Sequence, residues 1–252
     1  MSLPDAFLSR PIAHRALHDR SLGRPENSRS AIRAAIEHGY GIEIDLQLSA
    51  DGVPMVFHDD HLMRLTGEDG ALRERTAEEL GRLVLRGGVE GVPTFAEVLD
   101  LVAGRVPLLV EVKDQTHVLG PVEAVLEEAA ARALRHYRGP VALMSFNPFS
   151  VMALRDLAPD VPRGLVTCDF DPTDPEWAPA GEERLARYRE IADYDAAGAC
   201  FISHHATDLQ RPRVAELKAG GARVLCWTIR SPEAERAARA VADNVTFEGY
   251  LA

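Results

Sequence analysis

Short apolar runs alternate with longer amphipathic segments along most of the chain. Short runs bounded by turn residues are typical of buried strands, and longer periodic segments are typical of helices. The pattern predicts strands at residues 12–15, 41–46, 54–57, 107–113, 141–145, 163–167, 200–203, 223–228 and 241–247. It predicts helices at residues 28–38, 94–103, 118–137, 148–157, 182–194, 208–219 and 232–240. Strand and helix repeated about eight times indicate parallel βα units.

Capping residues mark several predicted helix ends. Asn27 or Ser28, Thr94 and Ser231 are start signals, because their side chains can accept hydrogen bonds from the first turn. Four glycines fall where helices should end, because glycine readily adopts the left-handed conformation that follows a helix: Gly39, Gly104, Gly139 and Gly220.

The repeat favours an α/β fold, a (β/α)8 TIM barrel, as one catalytic domain over residues 1–252. An open doubly wound sheet is the alternative, but its glycine-rich phosphate turn is absent after the first strand. Residues 58–93, after the second strand, are too long for a plain loop. They predict a small insertion with one short helix around residues 76–83. Residues 169–181 are a second long irregular segment.

Composition narrows the partners and the compartment. The formal net charge is −11, which argues against nucleic-acid binding. No run approaches the roughly 20 apolar residues of a membrane span, so we expect no stable membrane insertion. The three cysteines show no paired spacing, which favours a reducing, cytoplasmic location. The oligomeric state, a homo-oligomer included, is left open.

Acidic residues recur inside two apolar strands. Glu43 and Asp45 lie two residues apart, so their side chains point to the same face, and Glu111 and Lys113 repeat the spacing. Neighbouring buried carboxylates need a positive partner. Lysine or arginine ion pairs are one explanation. A divalent cation, Mg²⁺ or Ca²⁺, is the favoured one, because hard cations prefer oxygen ligands.

Polar residues also fall at the carboxyl ends of other strands, where β/α barrels place their active sites. They are His14, Arg15, Ser145, His204, His205, Trp227 and Thr228. Adjacent strand residues face opposite ways, so His204 and His205 can contribute one side chain at most. Ser145 lacks the glycines of a nucleophile elbow and is not interpreted as a nucleophile.

In chain order, the segments Ala13-His14-Arg15, Pro25-Glu26-Asn27-Ser28, Glu43-Ile44-Asp45, Asp51-Gly52, His58-Asp59, Glu111-Val112-Lys113 and Trp227-Thr228 resemble the glycerophosphodiester phosphodiesterase family. The resemblance covers residues 11–228. It implies a metal-dependent barrel hydrolase that cleaves a small-molecule substrate, a glycerophosphodiester, to glycerol 3-phosphate and an alcohol, in lipid and glycerol metabolism.

The resemblance also implies roles for individual residues. Glu43, Asp45 and Glu111 would be metal ligands, and His14 and His58 would be the acid and base. Arg15 and Lys113 would bind phosphate, Glu26 and Asn27 would help build the site, and Trp227 would line the substrate pocket. For the histidines and Trp227, ordinary core packing is the competing interpretation.

The chain departs from the family at its last strand. Members end it with a Gly-Val-Asp-Gly-Ile type run and a Thr-Asp-Xaa-Pro motif, whereas this chain has Ala242-Asp243-Asn244-Val245-Thr246-Phe247-Glu248-Gly249. We expect this change to affect substrate preference more than chemistry. We also expect the glycerol side of the diester to matter more than the leaving alcohol.

Two other functions are compatible with the same residues. One is a lysophospholipase D-like phosphodiesterase, although the segment 58–93 is mostly polar and charged and offers no apolar rim for acyl chains. The other is a non-catalytic barrel that binds glycerophosphodiesters, which the presence of both His14 and His58 disfavours.

Overall fold

A computed structural model describes all 252 residues, and its central feature is a closed barrel of eight parallel strands. The nine strands of the sheet are β1 Ile12–Ala13, β2 Gly41–Leu48, β3 Pro54–Val56, β4 Leu108–Val112, β5 Val141–Ser145, β6 Arg163–Thr167, β7 Phe201–His205, β8 Arg223–Ile229 and β9 Asn244–Phe247. The barrel closes because β1 pairs with both β2 and β9. The predicted (β/α)8 barrel is confirmed.

Helices connect the strands around the outside. They are α1 Ala6–Ser9, α2 Arg29–His38, α3 Met63–Thr66, α4 Ala77–Arg82, α5 Phe95–Val102, α6 Val125–Leu134, α7 Pro148–Leu157, α8 Glu182–Arg189, α9 Pro212–Ala219 and α10 Pro232–Ala238. Ser28 caps α2 by accepting a hydrogen bond from the N–H of Ala31, and Gly39 follows at φ 70°. Local chemistry therefore sets both ends of α2, as predicted.

Two predicted helices are wrong in extent. The predicted helix 118–137 begins only at Val125, because the Asp114 carboxylate accepts the N–H of Leu119 and holds the preceding segment as a turn. The predicted helix 182–194 ends at Arg189. The predicted strand 54–57 is confirmed as β3, which pairs antiparallel with β2 outside the barrel.

Smaller differences occur at other element ends. The predicted helix 208–219 begins at Pro212, a residue whose fixed φ suits the first helical turn. The predicted strand 241–247 begins at Asn244. Gly139 ends no helix and instead packs against Gly104, where an added Cβ would lie 2.4 Å from the Gly104 Cα. None of the ten helices has both the length and the apolar character needed to span a bilayer.

The barrel interior changes from apolar to polar along the strand direction. Its lower half is filled by apolar side chains from β1 and from β4 to β8, and Leu3 and Phe7 pack against them from the amino-terminal segment. Two residues further along β4, Leu109 is followed by Glu111 on the same face. The same step leads from Ile12 to His14. Polar side chains therefore gather at the carboxyl ends of the strands.

The segment 58–93 forms a small structure beside this end of the barrel. Strand β2 continues past the barrel to Leu48, and β3 returns alongside it, with the N–H of Phe57 donating to the carbonyl of Asp45. A separate apolar cluster fills the segment: Met55, Phe57, Leu62, Leu65, Leu72, Leu80, Leu85 and Val92. It holds two short helices, α3 and α4, where the sequence pattern indicated one. The return of β3 brings His58 back to the barrel mouth.

Candidate active site

Three buried carboxylates meet at the carboxyl end of the barrel. The pairing of β2 with β4 aligns Asp45 with Glu111, and Glu43 lies on the same face of β2 as Asp45. The exposed fractions are 2 % for Glu43, 1 % for Asp45 and 7 % for Glu111. One oxygen from each carboxylate lies within 4.8 Å of the other two. Such a set of hard oxygen donors fits a divalent cation.

Two cations partly compensate these carboxylates. Lys113 Nζ lies 2.7 Å from Glu111 Oε1 and 3.0 Å from Asp45 Oδ1. Arg15 Nε lies 3.7 Å from Asp45 Oδ2, and its Nη1 donates to Glu26 Oε1 at 2.8 Å. The buried Nε–H of Arg15 has no hydrogen-bond partner in the protein. The Arg15 side chain therefore contributes uncompensated hydrogen-bond donor capacity at this side of the cavity.

Glu43 is the carboxylate without a cationic partner. It accepts the backbone N–H of Arg15 at 2.8 Å and forms no ion pair. Burial and the charges of Asp45 and Glu111 raise its pKa well above the usual value. Burial would also raise the pKa of Asp45, but Lys113 and Arg15 lower it strongly. An added cation would relieve this imbalance, so the donor set fits a metal by charge as well as by chemistry.

A carboxylate holds the imidazole of His14. Glu248, directly after β9, places Oε2 2.6 Å from His14 Nδ1. A carboxylate can only accept, so Nδ1 carries the proton and the neutral ring offers a free Nε2. Burial lowers the pKa of His14, and the bond to Glu248 partly offsets that decrease. His18, at 3.5 Å, and Arg230 also contact Glu248, and they keep this carboxylate ionised.

His58 is held in the same way from the opposite side. Its Nδ1 lies 2.8 Å from Asp59 Oδ1, and Arg64 of α3 contacts Asp59 through Nε and Nη2, each at 2.6 Å. The other edge of the Arg64 guanidinium, Nη1 and Nη2, donates two 2.8 Å hydrogen bonds to the Glu26 carboxylate. Since Glu26 also accepts from Arg15, one chain of ion pairs links the 58–93 segment to the barrel mouth.

Aromatic residues form the opposite wall. Trp227 at the end of β8 donates its Nε1–H to the carbonyl of Ser203 at 3.0 Å. The ring of Phe146 lies 5.5 Å from that of Trp227 and 5.0 Å from that of Trp177. Between this wall and the carboxylates lies a cavity of about 210 Å³, next to a second of about 420 Å³.

Eight of the ten residues identified from sequence line the 210 Å³ cavity: His14, Arg15, Glu43, Asp45, His58, Glu111, Lys113 and Trp227. The other two lie behind it. Glu26 binds two arginines, and Asn27 donates to Asp45 Oδ2 at 2.8 Å. His204 is buried between Thr167 and Asp208 and does not line the cavity, whereas the His205 ring packs 4.8 Å from that of Trp227.

Sequence analysis did not identify several contributors: Phe146, Asp59, Arg64, Glu176, Trp177 and Glu248. Glu248 had a detectable signal, because Asn244, Thr246 and Glu248 alternate on one face of the last strand and its extension. Asp59 directly follows His58 in the motif. Arg64 lies on the short helix α3 of the insertion, and Glu176 and Trp177 lie in an irregular segment; no periodicity predicts the path of either.

The chain is similar in sequence to one known protein family. The model of the Glycerophosphoryl diester phosphodiesterase family matches residues 14–247. YhdW of Bacillus subtilis is 27% identical over 231 residues, which cover 87% of this chain and 86% of that protein. The glycerophosphodiester phosphodiesterase of Caldanaerobacter subterraneus subsp. tengcongensis is 32% identical over 166 residues, 62% of this chain and 65% of that protein.

A solved structure is similar over almost the whole length. The phosphodiesterase of Oleispira antarctica, in complex with the product sn-glycerol-3-phosphate, aligns with a TM-score of 0.76 at 26% identity. The alignment covers 96% of this chain and 94% of that one. The sequence-based assignment to a phosphodiesterase family with a barrel fold is therefore confirmed.

Proposed function

Since the chain belongs to the glycerophosphoryl diester phosphodiesterase family, we propose that it hydrolyses glycerophosphodiesters to glycerol 3-phosphate and an alcohol. One observation carries the proposal. Three buried carboxylates, two cations and two carboxylate-held histidines all line a single cavity. Phosphodiester cleavage needs this combination of charge stabilisation and proton transfer. The product bound in the Oleispira antarctica relative supports the same chemistry.

We propose that Glu43, Asp45 and Glu111 hold one divalent cation, Mg²⁺ or Ca²⁺. When bound, the ion would supply positive charge to a phosphate oxygen and so stabilise the transition state. Glu43 supports this assignment, because it is buried with no cationic partner in the protein. Carboxylate oxygens suit either ion, and Mg²⁺ would retain more of its water.

The chain's own groups would bind the phosphate and move the protons. Arg15 and Lys113 supply donors on the carboxylate side of the cavity. One of His14 and His58 accepts the proton of the nucleophile at Nε2, and the other donates a proton to the leaving oxygen. The nucleophile is water or the neighbouring glycerol hydroxyl, and the second route passes through a cyclic phosphate.

The glycerol half would occupy the 210 Å³ cavity. Ser203 and Thr246 line this cavity, and both buried hydroxyls lack hydrogen-bond partners in the protein. Hydroxyl-bearing side chains make this wall of the cavity more polar than the apolar layer below it, which suits a glycerol half. These two side chains therefore support placing the glycerol on this side of the phosphate.

We further propose that residues 1–252 act as one catalytic unit that includes the 58–93 insertion. The insertion supplies His58, Asp59 and Arg64 to the site, so the barrel alone would be incomplete. The three cysteines are free and buried, which supports a reducing, cytoplasmic location.

The decisive experiment combines activity with metal binding. Chelation should abolish hydrolysis of glycerophosphoethanolamine, and Mg²⁺ or Ca²⁺ should restore it. Calorimetry should show that Glu43→Gln loses metal affinity while remaining folded. His14→Ala and His58→Ala should each lower turnover about 100-fold or more yet keep that affinity.

Two results would refute the proposal. Full activity in protein shown by elemental analysis to be metal-free would exclude the metal role. Near wild-type turnover of either histidine variant across the pH range would exclude that residue as acid or base.

A further inference from the structure

The active-site cavity continues into a larger one that has its own character. Six residues line both the 210 Å³ and the 420 Å³ cavity: His58, Glu111, Lys113, Phe146, Glu176 and Trp177. If the glycerol half occupies the inner cavity, the other half of the diester can extend through this junction into the larger cavity. The outer cavity is therefore the place where the leaving alcohol would bind.

The outer cavity is acidic, and one of its charges has no partner. Its carboxylates are Asp59, Asp60, Glu111, Asp114 and Glu176. All of them except Glu176 accept a hydrogen bond from a neighbouring side chain or form an ion pair with one. The carboxylate of Glu176 makes neither, although it stands at the junction of the two cavities. It is thus the one acidic group there that is free to pair with a ligand.

An aromatic side chain, Trp177, lines the same junction as this carboxylate. Trp177 is half-buried, and its ring lies 5.0 Å from that of Phe146 and 5.3 Å from that of Phe170. These contacts hold the indole at the junction in a defined place. A carboxylate next to an indole and a phenyl ring is a combination that attracts organic cations, through charge and through the negative faces of the rings.

The helix that follows these two residues, α8, is anchored to neighbouring loops. The hydroxyl of Tyr188 donates to the carbonyl of Leu119, and Arg189 donates to the carbonyl of Phe170 at 2.9 Å. A short 3₁₀ turn, Ala178–Ala180, follows Trp177 directly. The Trp177 ring is therefore held in place before a ligand binds, which reduces the cost of ordering the subsite, and the neighbouring Glu176 side chain is exposed to the cavity.

We propose that Glu176 and Trp177 bind the leaving alcohol and select a cationic one, an amino alcohol with an ammonium or quaternary ammonium group. This inference rests on the proposed function, and it makes the leaving alcohol a determinant of specificity. It thus departs from the sequence-based expectation that the leaving alcohol matters less than the glycerol. A neutral polyol in the same place would leave the Glu176 charge unpaired.

The test uses substrates that share the glycerol phosphate half and differ only in the leaving alcohol. Glycerophosphocholine and glycerophosphoethanolamine carry a cation, whereas glycerophosphoglycerol is neutral. We expect wild-type kcat/KM to be about tenfold higher for the cationic diesters, a ratio that a partly desolvated cation–π and ionic contact can supply. Glu176→Gln should remove most of this preference, because kcat/KM should fall several-fold more for the cationic diesters than for glycerophosphoglycerol.

Two further variants sharpen the comparison. Trp177→Leu should lower kcat/KM for glycerophosphocholine more than for glycerophosphoglycerol. Glu183→Gln, which removes an exposed carboxylate of α8 outside both cavities, should leave the preference unchanged. Equal losses for charged and neutral substrates in Glu176→Gln would overturn the inference, as would a loss of metal affinity in calorimetry, which would make Glu176 a metal ligand.

A binding measurement separates this inference from the proposed function. Choline alone should quench tryptophan fluorescence in the wild-type protein and bind at least about fivefold more weakly to Glu176→Gln. If no diester is cleaved but choline binding depends on Glu176, the hydrolase proposal fails and the cation subsite stands. If the diesters are cleaved and choline binds the wild type and Glu176→Gln equally, the cation subsite is refuted and the hydrolase proposal stands.

Discussion

Two carboxylates at the barrel mouth each hold the Nδ1 of a histidine. Glu248 holds His14 from β9, and Asp59 holds His58 from the inserted segment. Each carboxylate fixes the tautomer and the plane of its ring, so the same nitrogen, Nε2, stays available on both sides of the cavity. In the proposed mechanism, this equivalent arrangement would prepare the two histidines for opposite proton transfers.

Glu248→Gln tests this arrangement. Glutamine still accepts from Nδ1 but lacks the charge that raises the pKa of His14 against the effect of burial. We expect kcat to fall roughly 10- to 100-fold, the usual cost of losing an orienting carboxylate. The limb of the pH–rate profile that reports His14 should move to lower pH. Steady-state kinetics from pH 5 to 9 would measure both effects.

The matched control for this variant is Glu216→Gln, on the exposed surface of α9, which should leave both kcat and the profile unchanged. An unaltered profile in Glu248→Gln would show that Glu248 does not act on His14.

Lys113→Met probes the charge balance of the carboxylates. Burial alone would lower the pKa of Lys113. The charges of Asp45 and Glu111 raise this pKa by more than burial lowers it, so the ammonium stays charged. Without metal, its removal leaves buried carboxylates uncompensated. We expect the free energy of unfolding to fall by about 3–5 kcal/mol in chelator, and Mg²⁺ or Ca²⁺ to restore part of the loss. Urea unfolding with and without the ion would measure the change.

The chain's only other lysine provides the control. Lys218 pairs with Asp243 at 3.1 Å and is partly exposed, so Lys218→Met should cost about 1 kcal/mol or less, with or without metal. A metal-independent loss in Lys113→Met would contradict the proposed balance between the lysine and the ion.

At the scale of elements, the alternation of side chains along each strand explains how the site is assembled. Residues two apart on a barrel strand share the inner face, so Leu109 and Glu111 follow each other from the apolar layer to the polar mouth. Strand β2 contributes Glu43 and Asp45 by the same rule, and its extension with β3 returns the chain to His58. The site therefore depends on the interior packing that fixes these strands.

Gly164→Ala tests that packing. Gly164 lies on β6, where an added Cβ would lie 2.5 Å from the ring of Phe201 inside the barrel. The buried ring would have to shift, so we expect a loss of about 1–3 kcal/mol in the free energy of unfolding. Gly81→Ala is the control, because its Cβ would meet nothing within 4 Å on α4. It should be neutral or gain up to about 1 kcal/mol. Equal effects in urea unfolding would refute the packing argument.

At the scale of the whole molecule, buried neutral histidines couple stability to pH. His204 is fully buried, its Nδ1 lies 2.8 Å from Thr167 Oγ1, and its Nε2 lies 3.1 Å from the carbonyl of Asp208. Burial lowers its pKa, so the folded protein binds this proton less readily than the unfolded chain does. The stability that His204 contributes is therefore full above about pH 6.5 and decreases as the pH falls below that value.

His204→Gln should reduce this dependence. One proton contributes at most about 1.4 kcal/mol per pH unit, so the variant should lose up to that slope between about pH 6.5 and 5. The variant will also be less stable at pH 8, but the slope is the informative quantity. Urea unfolding at several pH values would measure it. His136→Gln, at an exposed position, should keep the wild-type slope, and an identical slope in all three proteins would disprove the assignment.

Much of this molecule was determined by local sequence. The spacing of apolar residues and the capping residues specified most strands and helices. Both signals are local, because side-chain alternation and the hydrogen bonds at helix ends involve only residues close in sequence. The order of strand and helix specified the parallel barrel, since that alternation has few compact solutions. The spacing of Glu43 and Asp45, and of Glu111 and Lys113, placed each pair on one face. Eight of the ten residues identified from sequence consequently line one cavity.

Tertiary structure decided what joins distant or irregular segments. That β3 runs antiparallel and returns His58 to the mouth depends on pairing with β2, which a three-residue strand does not reveal by period. Glu248 meets His14 across 234 positions only because β9 pairs with β1 to close the barrel. Glu176 and Trp177 reach the cavity through a loop whose path is fixed by packing, and no periodic pattern encodes such a path.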